Sequence, residues 1–379
     1  MNNNLLKNIF SSFNKATKGE ESAIGIDIGS SSIKVVEIRK KGGKAVLETY
    51  GAIALGPYGE LDAGRVTNLT VEQVVSALKE VLKQSGVKNT TVAVSIPTQS
   101  SLIFTVELPA KIAKAEIATV VPIEARKYIP VPITEVSIDY FVMPKHEESF
   151  VEMNAEAGTG EKSLEKTEQI EVLVVATQND AVAKCRSIVS GCNLEASFFE
   201  IEIFSSIRSN FEHELSPVLL IDFGASRTKL SIVEFGLVKS FHTIDRGGSD
   251  ISNSIATSLS IPFLEAEKMK KEFGLFEDPA EKNLADIIKV HVDFIFSEAN
   301  NVLLGYEKKY NRTISKVIFT GGGALMKGLK EVAVNNFQAE VEIGHPFSKV
   351  IAPEFLEKVL EKMGPEFAVA LGLALRKLQ

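Results

Sequence analysis

The stretch AIGIDIGSSSIKVVEI, residues 23–38, recurs in altered form as LLIDFGASRTKLSIVEF, residues 219–235. Superposed, the two segments set Asp27 on Asp222, Gly29 on Gly224, Ser31 on Ser226 and Lys34 on Lys229. Each reads as a β-strand, a tight Gly/Ser turn and a second strand with alternating apolar residues. A chain whose two halves open with the same hairpin is expected to fold as two pseudo-symmetric lobes facing a cleft. One such hairpin is an ordinary turn; two at matching positions make a case.

The rest of the sequence suits that reading. Strand-like runs (TVAVSIP, VLLIDF, KVIFTG) alternate with helical stretches (VEQVVSALKEVLKQSG, VDFIFSEANNVLLGYEKKY), the pattern of an α/β chain. At 379 residues, with 45% hydrophobic and 24% charged residues, the chain is long enough for more than one core. A net charge of -7 without a basic tract argues against nucleic acid as a partner. Cys185 and Cys192 form neither a disulfide framework nor a zinc pattern, which suits a reducing cytoplasm. No apolar run reaches the ~18 residues that would span a bilayer.

The hairpin turns offer a defined chemistry. Gly29 lets backbone approach a ligand, and successive N–H groups with Ser30, Ser31 and Ser32 form a nest for phosphate oxygens. Lys34 follows on the outgoing strand, where an ammonium would neutralise phosphate charge. Gly224, Ala225 and Ser226 repeat the turn in the second half. Asp27 and Asp222, at strand ends, are candidate Mg²⁺ ligands, since that ion takes oxygen donors and keeps waters. A third element, KVIFTGGGALMKGL, runs a strand into Gly321, Gly322 and Gly323, where bare backbone could lie against a base or ribose. It is neither a P-loop nor a dinucleotide fingerprint.

In this order the three motifs resemble the two phosphate motifs and the adenosine motif of the actin/chaperone ATPase superfamily. The resemblance covers the chain from about Ala23 to its end and is strongest to the PilM and FtsA-like branch. It rests further on LPAKIAKAEIATVVPIEARKYIPVPITEVSIDYFVM, with Leu108, Pro109, Glu124, Tyr128, Ile129, Pro130, Asp139 and Tyr140 as landmarks, and on GHPFSKV and EFAVALGLALRKLQ. It implies an α/β, actin/Hsp70-like two-lobed fold with an FtsA/PilM-type inserted subdomain, binding ATP with Mg²⁺. By the same match, Gly247 and Gly248 follow the second hairpin, and Glu267 and Lys270 line the nucleoside end. Glu200 would orient the attacking water, with Glu202 as a rival. Arg227 departs from the pattern, since many relatives carry a small or hydroxylated residue there. Slow or absent turnover is implied, with nucleotide acting mainly as a conformational ligand. So is a partner, the cytoplasmic tail of an inner-membrane PilN-like protein, lying as an extended peptide on the inserted subdomain. Self-association is left open, and the expected location is the cytoplasm, at the inner membrane through partners. Two alternatives share the fold, an FtsA-like division tether and a small-molecule kinase.

The expected domain plan has a tail at 1–22, a first lobe at 23–90 and 185–215, and an inserted subdomain at 91–184. The second lobe is expected at 216–245 and 313–362, its subdomain at 246–312, and a terminal helix at 363–379 on the first lobe. Residues 145–171 carry eight Glu against three Lys and read as a solvated acidic loop. Residues 1–18 place Leu6, Ile9, Phe10 and Phe13 at helical spacing. In the insert, Ile117, Val120, Val121 and Glu124 are expected either to border a peptide groove or to seal a small core, with Pro122 kinking or splitting their helix.

Overall fold

A computed structural model describes residues 22–143, 169–212, 214, 216–276 and 282–378. The expected N-terminal helix and most of the acidic loop lie outside these residues. Along the chain run β1 (Ser22–Ile28), β2 (Ser32–Lys41), β3 (Lys44–Ala54), α1 (Val71–Ser85) and β4 (Thr91–Ile96). Next come β5 (Ser101–Pro109), α2 (Lys114–Ala125), β6 (Val136–Val142) and β7 (Gln169–Gln178). Then follow α3 (Asn179–Gly191), β8 (Glu195–Ile201), α4 (Glu202–Asn210), β9 (Val218–Phe223), β10 (Thr228–Glu234) and β11 (Leu237–Ile244). Helices α5 (Gly248–Leu259), α6 (Phe263–Phe273) and α7 (Lys282–Tyr310) lead to β12 (Lys316–Thr320), α8 (Leu329–Asn336) and β13 (Glu340–Ile343). The chain closes with α9 (Glu357–Met363) and α10 (Ala368–Leu378).

The contacts divide the chain into two compact units, the smaller one covering Ser101–Asn179. In the larger unit the internal repeat is explicit. One sheet has the order β3-β2-β1-β4-β8 and the other β11-β10-β9-β12-β13. In both, the hairpin strands pair antiparallel and the next two strands join in parallel, β4 beside β1 and β12 beside β9. Strands β1 and β9 are central and almost wholly buried, which is why AIGIDI and VLLIDF read as continuous apolar runs rather than alternating ones. Local signals fix the helix ends. Thr70 and Gln73 form a reciprocal capping box on α1, and Gly86 ends it in the left-handed region.

Three large cores in this unit stand out among the described residues. In the first half, Ile24, Ile26, Val92 and Val94 pack with Leu78 and Val81 of α1. In the second, Leu219, Ile221 and Phe319 pack with Ile288, Val292 and Phe296 of α7. On the other face of β1 and β2, Ala370, Leu371 and Ala374 of α10 bury Ala23 and Val36. The terminal helix is thus a structural layer of the first lobe.

The expected insert boundary at residue 91 needs correcting. Strand β4 lies between β1 and β8, paired with β8 from Thr91 to Ile96, so the first lobe keeps it and the smaller unit begins at Ser101. The smaller unit is a three-stranded antiparallel sheet, β5-β7-β6, with α2 against it. Helix α2 passes through Pro122 without splitting, and Arg126 N–H still donates to the Pro122 carbonyl at 3.2 Å. Ile117 and Val121 are buried with Val106, Leu108, Val172 and Val174, and Val120 packs partly against them. They seal a core and do not line a groove. The exposed apolar side chains of this helix end are Ile123 and Tyr128, the latter stacked on Phe104.

Candidate functional site

Pairing fixes the site's frame before any side chain is considered. Asp27 is registered opposite Lys34 in the first hairpin, and Asp222 opposite Lys229 in the second. Both turns close with the same bond, Gly29 N–H to the Ser32 carbonyl and Gly224 N–H to the Arg227 carbonyl, each 3.0 Å. Behind the first turn, Thr67 N–H and Leu55 N–H donate to the carbonyls of Ser30 and Ser31, both at 2.9 Å. The Lys34 ammonium reaches back over that turn, since a Cβ built on Gly29 would lie 3.7 Å from it.

The second turn receives the start of α5. Gly248 N–H donates to the Gly224 carbonyl at 2.9 Å and Ser249 N–H to the Ala225 carbonyl at 2.8 Å. Gly247 is required there, because an added Cβ would run into the Ala225 carbonyl. The helix N-terminus, whose dipole favours anions, is therefore held against the Gly224–Ser226 turn. Lys270 adjoins it, donating to the Gly248 carbonyl (2.7 Å), Ser252 Oγ (2.8 Å) and Glu267 Oε2 (2.6 Å). Sequence alone allows these two side chains to be a solvated helix face; both are buried. Burial pushes the Glu267 carboxyl up, but the Lys270 ammonium outweighs it and holds the group below the usual range. From the first lobe, Arg65 lies 4.0 Å over the Phe263 ring and donates to Asn253 at 3.2 Å, tying the two halves at this end.

Gly321 sits at φ 80, in the region that favours glycine, and a Cβ there would come within 2.5 Å of Asp222 Oδ1. Gly322 opens a short 3₁₀ turn, and Gly323 is pressed against the Phe223 ring. The structure therefore brings Asp222, Gly224, Ala225, Ser226, Gly247, Gly248, Lys270, Glu267 and Gly321 together as one connected set of contacts.

Glu200 does not join it. The residue is 0% exposed, next to last in β8, and both carboxylate oxygens are taken. Arg208 donates to them at 2.7 and 2.8 Å, Arg376 of α10 at 2.8 Å, and Ser205 also donates. Burial raises its pKa, yet the Arg208 guanidinium, then Arg376, hold it below the usual carboxylate range. A carboxylate saturated by two guanidiniums cannot orient water, so the expected catalytic role is withdrawn. Glu202, two residues on, opens α4 and faces the hairpins. Its Oε1 accepts from Thr98 N–H (2.7 Å) and Oγ1 (2.8 Å), and its Oε2 lies 2.8 Å from Lys229 Nζ. Lys229 in turn lies 3.1 Å from Asp222 Oδ2. Sequence reading missed Lys229 as a site residue, although the duplication already matched it to Lys34. Arg227 leaves the turn to bond Gln99 and Asp245.

Asp27 is buried, accepts from Ser95 Oγ at 3.0 Å, and has its carboxyl pushed up chiefly by burial, against the pull of Lys34. Among the described residues no group of three or more His, Cys, Asp or Glu could hold a metal ion. Two aspartates are nonetheless what an Mg²⁺ carried in on phosphates requires, because it keeps its waters and takes one or two protein carboxylates.

A family model described as type IV pilus assembly protein PilM matches residues 25–378. A solved PilM-PilN type IV pilus biogenesis complex superposes with a TM-score of 0.77 at 25% identity, covering 95% of this chain and all of that one. The ethanolamine utilization protein EutJ of Carboxydothermus hydrogenoformans shares the fold, with a TM-score of 0.51, 17% identity, and 98% and 95% of the two chains covered. Among curated relatives, FtsA of Pseudomonas aeruginosa is 24% identical over 364 residues, 86% of this chain and 83% of that protein. FtsA of Staphylococcus epidermidis is 26% identical over 211 residues, 49% of this chain; the match spans only 45% of that relative's length.

Proposed function

Because the chain belongs to the PilM family of type IV pilus assembly proteins, matched over residues 25–378, we propose that it is an actin-like, ATP-binding scaffold of pilus assembly. The observation that carries the nucleotide reading is the repeated register, Asp27 against Lys34 and Asp222 against Lys229, on two turns closed by the same hydrogen bond. The Gly29–Ser32 and Gly224–Ser226 turns grip the phosphates from opposite lobes, with Lys34 over the first. Gly321 and its neighbours Gly322 and Gly323 bear on the nucleoside, with Glu267 and Lys270 at its end. Asp27 and Asp222 would hold Mg²⁺, which would supply positive charge against the phosphates when bound.

Lys34→Ala is expected to weaken ATP binding by about 1.5–3 kcal/mol, roughly ten- to a hundred-fold, as the loss of one charge-assisted phosphate contact. Calorimetric titration of ATP with Mg²⁺ checks this, and unchanged affinity would remove the assignment. Turnover should be slow. Glu202 is occupied by Thr98 and Lys229, and Glu200 is locked away, so neither glutamate stands ready as a base. Nucleotide then acts by favouring whichever lobe arrangement binds it better. A steady-state ATPase rate in the ordinary enzyme range of ~1–10³ per second, without partner, would contradict the scaffold reading.

The partner we propose is the cytoplasmic tail of a PilN-like inner-membrane protein, bound as an extended segment on the smaller unit. Among the described residues, strand β5 pairs on one side only, with β7, leaving an edge that can accept a further strand. The chain's own link to the membrane would be indirect, since among the described residues no helix is long and apolar enough to cross one.

A further inference from the structure

Three carboxylates converge on the phosphate clamp: Asp27 from β1, Asp222 from β9 and Glu202 from the start of α4. Such a group calls for a positive charge among its oxygens. Its centre is filled by a side chain. Lys229 Nζ lies 2.8 Å from Glu202 Oε2 and 3.1 Å from Asp222 Oδ2, and it is close enough to Asp27 for their charges to interact. The ammonium is largely shielded from water, so its attraction to these groups is little screened. Lys34 serves the first turn. Without Lys229 the clamp would carry three negative charges against one positive, and an incoming triphosphate would be repelled unless a cation came with it.

We propose that Lys229 is a resident cation of the nucleotide site, a positioning residue that supplies charge other sites take from Mg²⁺, so that this chain binds ATP with little dependence on divalent metal. The inference rests on the nucleotide reading above. It is local, built into the second hairpin, and concerns the ligand that the site accepts: metal-free ATP as well as its Mg²⁺ complex.

The test is the ratio of ATP dissociation constants in EDTA and in excess Mg²⁺, measured by calorimetry on the full chain. For the unaltered protein the ratio should stay within about ten-fold. Lys229→Gln should raise it by a further factor on the order of ten to a hundred, through loss of affinity in EDTA that added Mg²⁺ largely restores. Lys229→Arg should keep the original ratio. A purely structural lysine would move both constants together, so equal loss in the two buffers overturns the inference, as does an unaltered protein that binds only with Mg²⁺. Should Lys229→Gln fail to fold, Glu202→Gln alone, which keeps the ammonium and removes one negative charge, should lower the ratio, and a ratio that does not fall overturns the inference. Binding in neither buffer would overturn the nucleotide reading itself.

Discussion

Glu200→Ala is expected to cost about 3–5 kcal/mol of folding stability, because it strands the buried Arg376 and the half-buried Arg208, which now share one carboxylate. Arg208 belongs to α4 and Arg376 to α10, so the loss loosens the terminal helix from the first lobe rather than damaging a reaction. Denaturant unfolding measures the loss, and a change below about 1 kcal/mol would show that the cluster does not anchor the helix. Protein that remains folded should bind ATP as before. The pH dependence has a definite sign. The folded carboxyl is held below its ordinary value, so its contribution is complete above that value and is lost as the pH falls through the folded one. The unaltered protein should therefore lose stability in acid more steeply than Glu200→Ala.

Replacing residues 102–178 with a short Gly/Ser linker is expected to abolish binding of the PilN-like tail while leaving ATP affinity intact. The smaller unit has its own core, from Val106 to Val174, and carries none of the hairpin residues. The cut has to fall after β4. A deletion beginning at 91 would remove a strand from the middle of the first lobe's sheet and destroy both functions. Fluorescence anisotropy with a labelled tail peptide reads the first outcome and calorimetry the second. Retained peptide binding would move the docking site to the larger unit.

The hairpins were legible in the sequence because their chemistry is local. A strand, a glycine turn and a returning strand fix which aspartate faces which lysine, and duplication doubles the signal. The Gly247–Gly248 pair and the Glu267–Lys270 pair, four residues or fewer in each case, could be placed by motif resemblance for the same reason. What local pattern could not settle was direction at a strand end. Glu200 and Glu202 differ by two residues, one on β8 and one opening α4, and the guanidiniums that claim Glu200 come from 8 and 176 residues away. Nothing near Glu200 announces Arg376. The same limit hid the true start of the insert, since β4 belongs to the first lobe only through its pairing with β1 and β8. Apolar residues on α2 likewise satisfied two readings, and only packing against β5 and β7 decided that Ile117 and Val121 face inward.

A crystal structure of the chain with a non-hydrolysable ATP analogue tests the central claim most directly. One nucleotide per chain is expected, its phosphates between the Gly29–Ser32 and Gly224–Ser226 turns, Lys34 on a phosphate oxygen, and the base beside Lys270 and Gly321. A nucleotide held by one hairpin alone, or lodged anywhere outside the cleft between the two sheets, would contradict the account.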